Sequence, residues 1–346
     1  MPATPYVQVD VDIVDANINS MQVFCDSRGI ALRPHAKTHK SVDVGRRQLL
    51  AGAVGLTVAT VGEGEVFADL LAEFGKDLFV AYPVAASPSR LRELVGRVPT
   101  TVGVDSSDGV RRAADAGVAI SIEIDSGLRR SGVAPSDAGD LASLARFLGV
   151  RVGGVFTFPG HGYGLGHTRA DAAADEGRAL AAAIASLRSV GVEDDVVASG
   201  GCTPTATLTH EKVVNELRPG VYVFMDAGQL TMGSATPDQV ALTVRTTVIS
   251  NAVPGQVVLD AGAKVLGMDR PAFVDSHGQV PTYPEARLTG VWEHHGVLEI
   301  PDGSPRPAIG EQLDIIPNHV CATVNLVDTL FAGDNSWPVS ARGRNT

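Results

Sequence analysis

The sequence predicts a TIM-like (β/α)8 barrel followed by a second, mainly antiparallel β-domain. Three observations carry that expectation. Eight short apolar runs alternate with segments of helical spacing over roughly 220 residues. No G-x-G-x-x-G follows the first run, so the competing doubly wound open sheet lacks its opening signature. After about residue 236 the long helical patterns stop, and strand-like runs follow one another between Gly, Pro and Asp. The boundaries read from this are 10–235 for the barrel and 236–346 for the β-domain, with the opening strand 1–9 assigned to the latter.

In chain order, the barrel runs are ALRPHAK (31–37), GLTVAT (55–60), DLFVAYP (77–83), TTVGVD (100–105), AISIEID (119–125), VGGVFTF (152–158), DVVAS (195–199) and VYVFMD (221–226). Between most of them apolar residues recur at helical spacing, as in AADEGRALAAAIASLRSVG (173–191). The second domain reads as VALTVRTTVIS, GQVVLDAG, GVLEI and EQLDIIPNHVCATVNLVDTLFA, all strand-like. The tail SARGRNT is expected to fray.

Composition narrows the function. With 28 Lys+Arg against 39 Asp+Glu, the net charge of −11 argues against nucleic acid as a partner. No apolar run reaches the ~18 residues of a membrane helix, and the first residues lack the pattern of a signal peptide. Cys25, Cys202 and Cys321 are too few for a disulfide framework, which suits a reduced cytoplasmic setting.

If 31–37 is a strand, Arg33, His35 and Lys37 share one face, and in a barrel that face points inward. Lys37 ends the row nearest the C-terminal mouth, where barrel enzymes keep their active sites. A lysine there can act as a base or form a Schiff base. Lys40 lies off the row. A basic surface strand is the plain alternative, but inward cations call for an anionic guest. Ser199, Gly200, Gly201, Thr203 and Thr205 follow the seventh run, with Tyr222 in the eighth, where many barrels bind phosphate. Lysine and phosphate loop together suggest pyridoxal 5′-phosphate (PLP). His319 and Cys321, two apart in a strand, would share a face ~6.6 Å apart and suit zinc, with manganese as the other candidate. The same spacing also fits a strand whose His and Cys simply face a core.

Five motifs carry a family resemblance: RPHAKTHK (33–40), DSGLRRSG (125–132), SGGCTPT (199–205), ELRPGVYVFMD (216–226) and IIPNHVCATVNLVD (315–328). They resemble those of the eukaryotic-type D-serine dehydratases and the related D-threonine aldolases, which share the alanine-racemase fold. The resemblance implies a Schiff base between PLP and Lys37, with His35 nearby and Arg130 at the pyridine nitrogen. It places phosphate contacts on the 199–203 loop and Tyr222, counts Asp226 with the cofactor-binding residues, and puts a divalent metal on His319 and Cys321. It also implies a homodimer acting on a small D-3-hydroxy amino acid. The H-x-C form and GGCTPT are closer to the dehydratases, whereas EHHG (293–296) departs from the family's EHG. Dehydration would give a 2-oxo acid and ammonia, with Lys37 taking the α-proton and the metal acting on the β-hydroxyl. A retro-aldol to glycine and an aldehyde would need a base, for which His161 is the candidate, with a structural histidine as the equal alternative. A racemase would need a second acid/base such as Tyr283, and a non-catalytic PLP carrier would lack the β-domain.

Overall fold

The computed structural model describes residues 2–83, 86–166, 168–193 and 196–346. The strands in chain order are β1 (Tyr6–Val9), β2 (Ala31–Leu32), β3 (Gly55–Val58), β4 (Asp77–Pro83), β5 (Thr100–Val104), β6 (Ala119–Glu123), β7 (Val152–Phe156), β8 (Val197–Gly200), β9 (Glu216–Leu217), β10 (Leu242–Ser250), β11 (Gln256–Leu259), β12 (Gly278–Gln279), β13 (Arg287–Val291), β14 (Gly296–Glu299), β15 (Gln312–Pro317), β16 (Thr329–Ala332) and β17 (Asn335–Pro338). The helices are α1 (Val11–Asp26), α2 (Val42–Leu50), α3 (Val61–Glu73), α4 (Pro88–Arg97), α5 (Ser107–Ala116), α6 (Ala138–Phe147), α7 (Thr168–Ser189), α8 (Ala227–Thr231), α9 (Ala263–Leu266) and α10 (Val320–Asn325). None is long and apolar enough, among the described residues, to cross a membrane.

The chain forms two compact units. One comprises residues 18–37, 42–220 and 343–346; the other comprises 1–17, 38–41 and 221–342. The first unit holds eight parallel strands in the order β2-β9-β8-β7-β6-β5-β4-β3. Closure between β2 and β3 comes from single bonds: Val54 N–H to Leu32 O at 2.9 Å, Thr57 N–H to Pro34 O at 2.8 Å, and a bridge between His35 and Thr57. The fold is thus the expected barrel with helices. Near-continuous apolar strands such as β3, buried along its length, are what a sheet covered on both faces requires.

Two of the eight expected strands differ. Of the run 31–37 only Ala31–Leu32 is a strand; the chain then keeps single bonds to its neighbours as far as His35 and turns into a 3₁₀ segment at Ala36–Thr38. Pro34 has no N–H for a ladder, so the regular strand ends before it. The eighth barrel strand is β9, not 221–226; Val221–Val223 is a buried 3₁₀ turn in the other unit. Pro219 breaks the path after β9 in the same way as Pro34 after β2. Of the run 195–199, Asp195 lies outside the described residues. The tail is docked: Thr60 Oγ1 donates to Arg344 O at 2.5 Å, and Gly62 N–H donates to Thr346 O at 2.8 Å. Thr60 thereby gives the tail a partner while its oxygen also caps α3 by accepting from Glu63 N–H.

The second unit is a mostly antiparallel sheet in the order β13-β14-β11-β10-β1-β16-β17, with β15 paired to β10 and β12. β1 runs antiparallel to β10, with Val9 opposite Leu242, and meets β16 in parallel at Gln8 and Phe331.

Candidate active site

The inward row read from 31–37 divides between two ends of the barrel. Arg33 turns to the end where β4, β8 and β9 begin, in a cavity it shares with Asp77, Ser199, Glu216 and Arg151. It donates from Nε to Glu216 (2.7 Å) and from Nη1 to Asp77 (2.6 Å). Burial opposes its charge, but Glu216 and Asp77 together outweigh that and hold the guanidinium protonated. The anion that Arg33 calls for is therefore the protein's own pair of carboxylates.

His35 and Lys37 open instead onto a cavity of about 390 Å³ at the ends of β4, β6 and β7. This is the C-terminal end, where parallel barrels place their chemistry. Glu123, Arg130, Arg218, Phe156 and Phe158 are also on its wall. Lys37 Nζ lies 5.6 Å from the Phe158 ring centre, and the Arg130 guanidinium 5.0 Å from the same ring. Lys37 N–H meets His35 Nδ1 at 3.5 Å. Arg130 Nη2 is 3.9 Å from Glu123 Oε1, which accepts from Ser131 Oγ at 2.8 Å. Burial raises the Glu123 pKa, and its Oε2 is buried without a partner.

Arg218, which sequence reasoning passed over, is buried over the rings of Phe79 and Phe156, 5.5 and 5.1 Å away. Its Nη2 donates to Thr157 O at 2.6 Å, while Nε is unpaired. Burial brings its pKa down to about 10, against the pull of Glu216, Glu176 and Glu123. The cavity thus gathers Lys37, Arg130 and Arg218 around one carboxylate, with two orphaned polar atoms. That excess of positive charge fits an anionic, lysine-linked guest such as PLP. The local sequence does not single Arg218 out: the R-P dipeptide it shares with Arg33 belongs, at Arg33, to a side chain facing the other end of the barrel.

The turn after β8 is more committed than its Gly/Ser/Thr content suggests. Ser199 Oγ donates to Glu216 at 2.7 Å, Gly201 N–H to Glu176 Oε1 at 2.6 Å, and Cys202 N–H to Thr205 Oγ1 at 3.1 Å. Gly200 is bare because a Cβ there would stand 2.5 Å from Glu176 Oε1. Thr203 is buried in the same turn. Cys202 is packed, and burial pushes its thiol up to about 12, so it is no nucleophile. His161 follows β7 in a 3₁₀ turn, with Nε2 3.3 Å from Asp175 Oδ2 and Nδ1 buried and unpaired. Among the described residues on the wall of the Lys37 cavity, His161 does not figure.

In the second unit, His319 and Cys321 are not on a strand. β15 ends at Pro317, His319 caps α10, and Cys321 lies in its first turn. The β-branched residues that suggested a strand, Val320, Thr323 and Val324, are buried at i, i+3 and i+4, a helical face. The two side chains still meet. Cys321 is the main cause, against burial and with help from Asp226, that lifts the His319 pKa to about 11. Cys321 Sγ is hydrogen-bonded to Thr38 Oγ1 at 3.2 Å. An imidazole and a cysteine sulfur side by side are a donor pair that zinc accepts. Among the described residues no group of three or more His, Cys, Asp or Glu is arranged for a metal, so the pair stands as two protein donors. Asp226 belongs to this unit, where its oxygens meet Gln229 N–H, Val320 N–H and His319. Tyr222 is buried in the same unit. Tyr283 donates its hydroxyl to Glu311 at 2.7 Å.

A parallel barrel with a lysine in a cationic cavity at its C-terminal end, in a chain that also builds an antiparallel sheet, is the arrangement of a barrel enzyme with room for an anionic cofactor. Comparisons with known proteins narrow it. The family model "Alanine racemase, N-terminal domain" matches residues 9–228, and the serine dehydratase domain model matches residues 241–332. D-threo-3-hydroxyaspartate dehydratase of Delftia sp. (strain HT23) is 35% identical, over 92% of this chain and 91% of that protein. D-threonine aldolase of Arthrobacter sp is 30% identical, over 98% and 93%. A solved structure of D-threo-3-hydroxyaspartate dehydratase, a cysteine-to-alanine mutant in the metal-free form, superposes with a TM-score of 0.87 at 32% identity, covering 98% of this chain and 97% of that one. The chain belongs to the alanine-racemase-fold family of PLP-dependent lyases that comprises D-amino-acid dehydratases and aldolases.

Proposed function

We propose that this protein is a PLP- and divalent-metal-dependent lyase of D-3-hydroxy amino acids, and that it is a dehydratase, releasing a 2-oxo acid and ammonia. The observation that carries the reading is the pairing of two donor sets in one chain: a lysine in a cationic cavity, and a histidine and a cysteine two residues apart at the start of α10. The dehydratase relative, at 35% identity against 30% for the aldolase, supports the choice of reaction.

Lys37 anchors the cofactor and then holds or moves the proton at the substrate α-carbon. Arg130 and Arg218 bind the negative charge of cofactor and substrate, with His35 beside the lysine. Phe156 and Phe158 exclude water from the amine. The turn at Gly200, Gly201 and Thr203, with Tyr222, is assigned to the phosphate. Ser199 stands behind that turn, since its hydroxyl is already given to Glu216. PLP, when bound, supplies an electron sink for the α-carbon. A divalent metal on His319 and Cys321, zinc or manganese, supplies a Lewis acid for a departing hydroxyl. The protein is proposed to work as a cytoplasmic homodimer.

The retro-aldol is the second reading, with His161 as its candidate base: Asp175 orients one ring nitrogen, and the other has no partner among the described residues, although the ring does not line the Lys37 cavity. Assaying D-serine, D-threonine and D-3-hydroxyaspartate with zinc or manganese separates the two. Dehydration predicts 2-oxo acid and ammonia in equal amounts; glycine as the sole amino-acid product would overturn it. The Lys37→Ala protein is expected to lose the visible absorption of the lysine-bound cofactor, and keeping that absorption would show another lysine to be the anchor.

A further inference from the structure

Asp226 does more than its position in a helix-capping sequence requires. It is 1% exposed, in the second unit. Oδ1 accepts from Gln229 N–H at 2.9 Å and so caps α8. Oδ2 accepts from Val320 N–H at 3.2 Å, at the start of α10, and lies 3.5 Å from His319 Nδ1. Capping α8 needs one oxygen, which Ser, Thr or Asn would supply as well. A fully buried carboxylate is costly unless its charge is used. The second oxygen is the part that a cap leaves unexplained, and it is the one turned to His319.

We propose that Asp226 is the positioning residue of the metal pair. Its Oδ2 faces His319 Nδ1 as an acceptor, so that Nδ1 keeps the ring proton and Nε2 presents its lone pair to a divalent ion. Through Val320 N–H it also fixes the first turn of α10, on which Cys321 is carried. Metal-bound imidazoles are commonly oriented by such a carboxylate on the other ring nitrogen, at a cost of roughly 10–100-fold in metal affinity when it is lost. At 3.5 Å the contact is long for a hydrogen bond, and within reach of an ion pair. The inference rests on the reading of His319 and Cys321 as metal ligands.

The test is a zinc titration of the metal-stripped full chain against a competing chelator. Asp226→Asn keeps size and one acceptor but offers an amide where His319 needs a carboxylate. Asp226→Ser keeps the α8 cap alone. Both variants are expected to bind zinc roughly 10–100-fold more weakly, with metal-free melting temperatures close to the unsubstituted protein's. Unchanged zinc affinity in both, while His319→Ala loses it, would overturn the role of Asp226 and leave the metal pair standing. Unchanged affinity in His319→Ala and Cys321→Ala would overturn the metal reading and this inference with it. Should both Asp226 variants fail to fold, nitrogen NMR of the zinc-loaded, histidine-labelled protein decides: the zinc-bound ring is expected to carry its proton on Nδ1, and metal on Nδ1 would overturn the proposal.

Discussion

Glu176 on α7 is a buried carboxylate with no ion pair among the described residues. It accepts from Gly201 N–H and, at 3.4 Å, from Thr209 Oγ1, while Arg218 acts on it only at a distance. Desolvation dominates these and raises its pKa from 4.5 to about 7. Between those two values the folded protein keeps a proton that the unfolded chain has lost. The stabilisation is therefore complete below the unfolded value and is lost as pH rises through the folded one. The full span corresponds to about 3 kcal/mol. Glu176→Gln retains an acceptor for Gly201 and cannot ionise, so its melting temperature is expected to exceed the unsubstituted protein's by several degrees at pH 8 and to match it at pH 5. An equal deficit at both values would mean that shape, not charge, decides the site. Single residues of this kind were the least legible part of the sequence. Lys37 stood out by its company of cations, but Glu176 and Glu123 look like ordinary helix and strand carboxylates until burial is known. Arg33 was legible as an inward cation, while its partners, Asp77 and Glu216, are 44 and 183 positions away.

At the scale of elements, alternation of apolar runs with helices was enough to read the barrel, because a sheet covered on both faces needs continuous apolar strands. What failed was the distinction between a short strand and a short turn of helix. The run VYVFM is as apolar as a strand, yet it folds as a buried 3₁₀ turn. In HVCATVN the β-branched residues hid an i, i+3, i+4 spacing. Periodicity over five or six residues does not separate these cases; only burial does. The turn after β8 shows how little latitude such a segment has. Gly201 has φ +76°, and a Cβ there would lie 2.4 Å from Leu217 Cδ2, inside β9. Gly201→Ala is expected to lose at least ~1–2 kcal/mol from the left-handed backbone alone, with more from displaced Leu217. Calorimetry should show a lower melting temperature, and the purified variant should hold less PLP than the unsubstituted protein. A variant that melts normally and holds a full complement of cofactor would show that the turn has room to relax.

At the scale of the molecule, neither compact unit is a single stretch of chain. The chain enters the second unit at its start, again for Thr38–Ser41 directly after Lys37, and finally from Val221. The change of sequence pattern near residue 236 lies past that last entry, because 221–235 is apolar and compact while belonging to the sheet's unit: Ala241 N–H donates to Phe224 O at 2.8 Å. The first residues bind this unit together. β1 sits between β10 and β16. Gln8 Nε2 donates to Asp314 on β15 at 2.7 Å and to Thr243 on β10 at 3.0 Å, and Thr4 Oγ1 donates to Asp260 at 2.6 Å. Tyr6, Val7 and Val9 are buried, and the Tyr6 ring meets Phe331 edge-on at 5.4 Å. Deleting residues 2–9 would remove three buried apolar side chains, worth ~1.5–3 kcal/mol each, and uncover the facing edges of β10 and β16, which invite pairing with other chains. The truncated protein is expected to melt roughly 10 °C or more below the full chain, on a scale of about 2–4 °C per kcal/mol for chains somewhat smaller than this one, and to scatter light on concentration. Because Lys37 lies in the other unit, near-normal secondary structure with loss of the cooperative transition of the sheet would trace the damage to the second unit; melting within a degree or two of the full chain would show that β10 and β16 hold together without the strand between them.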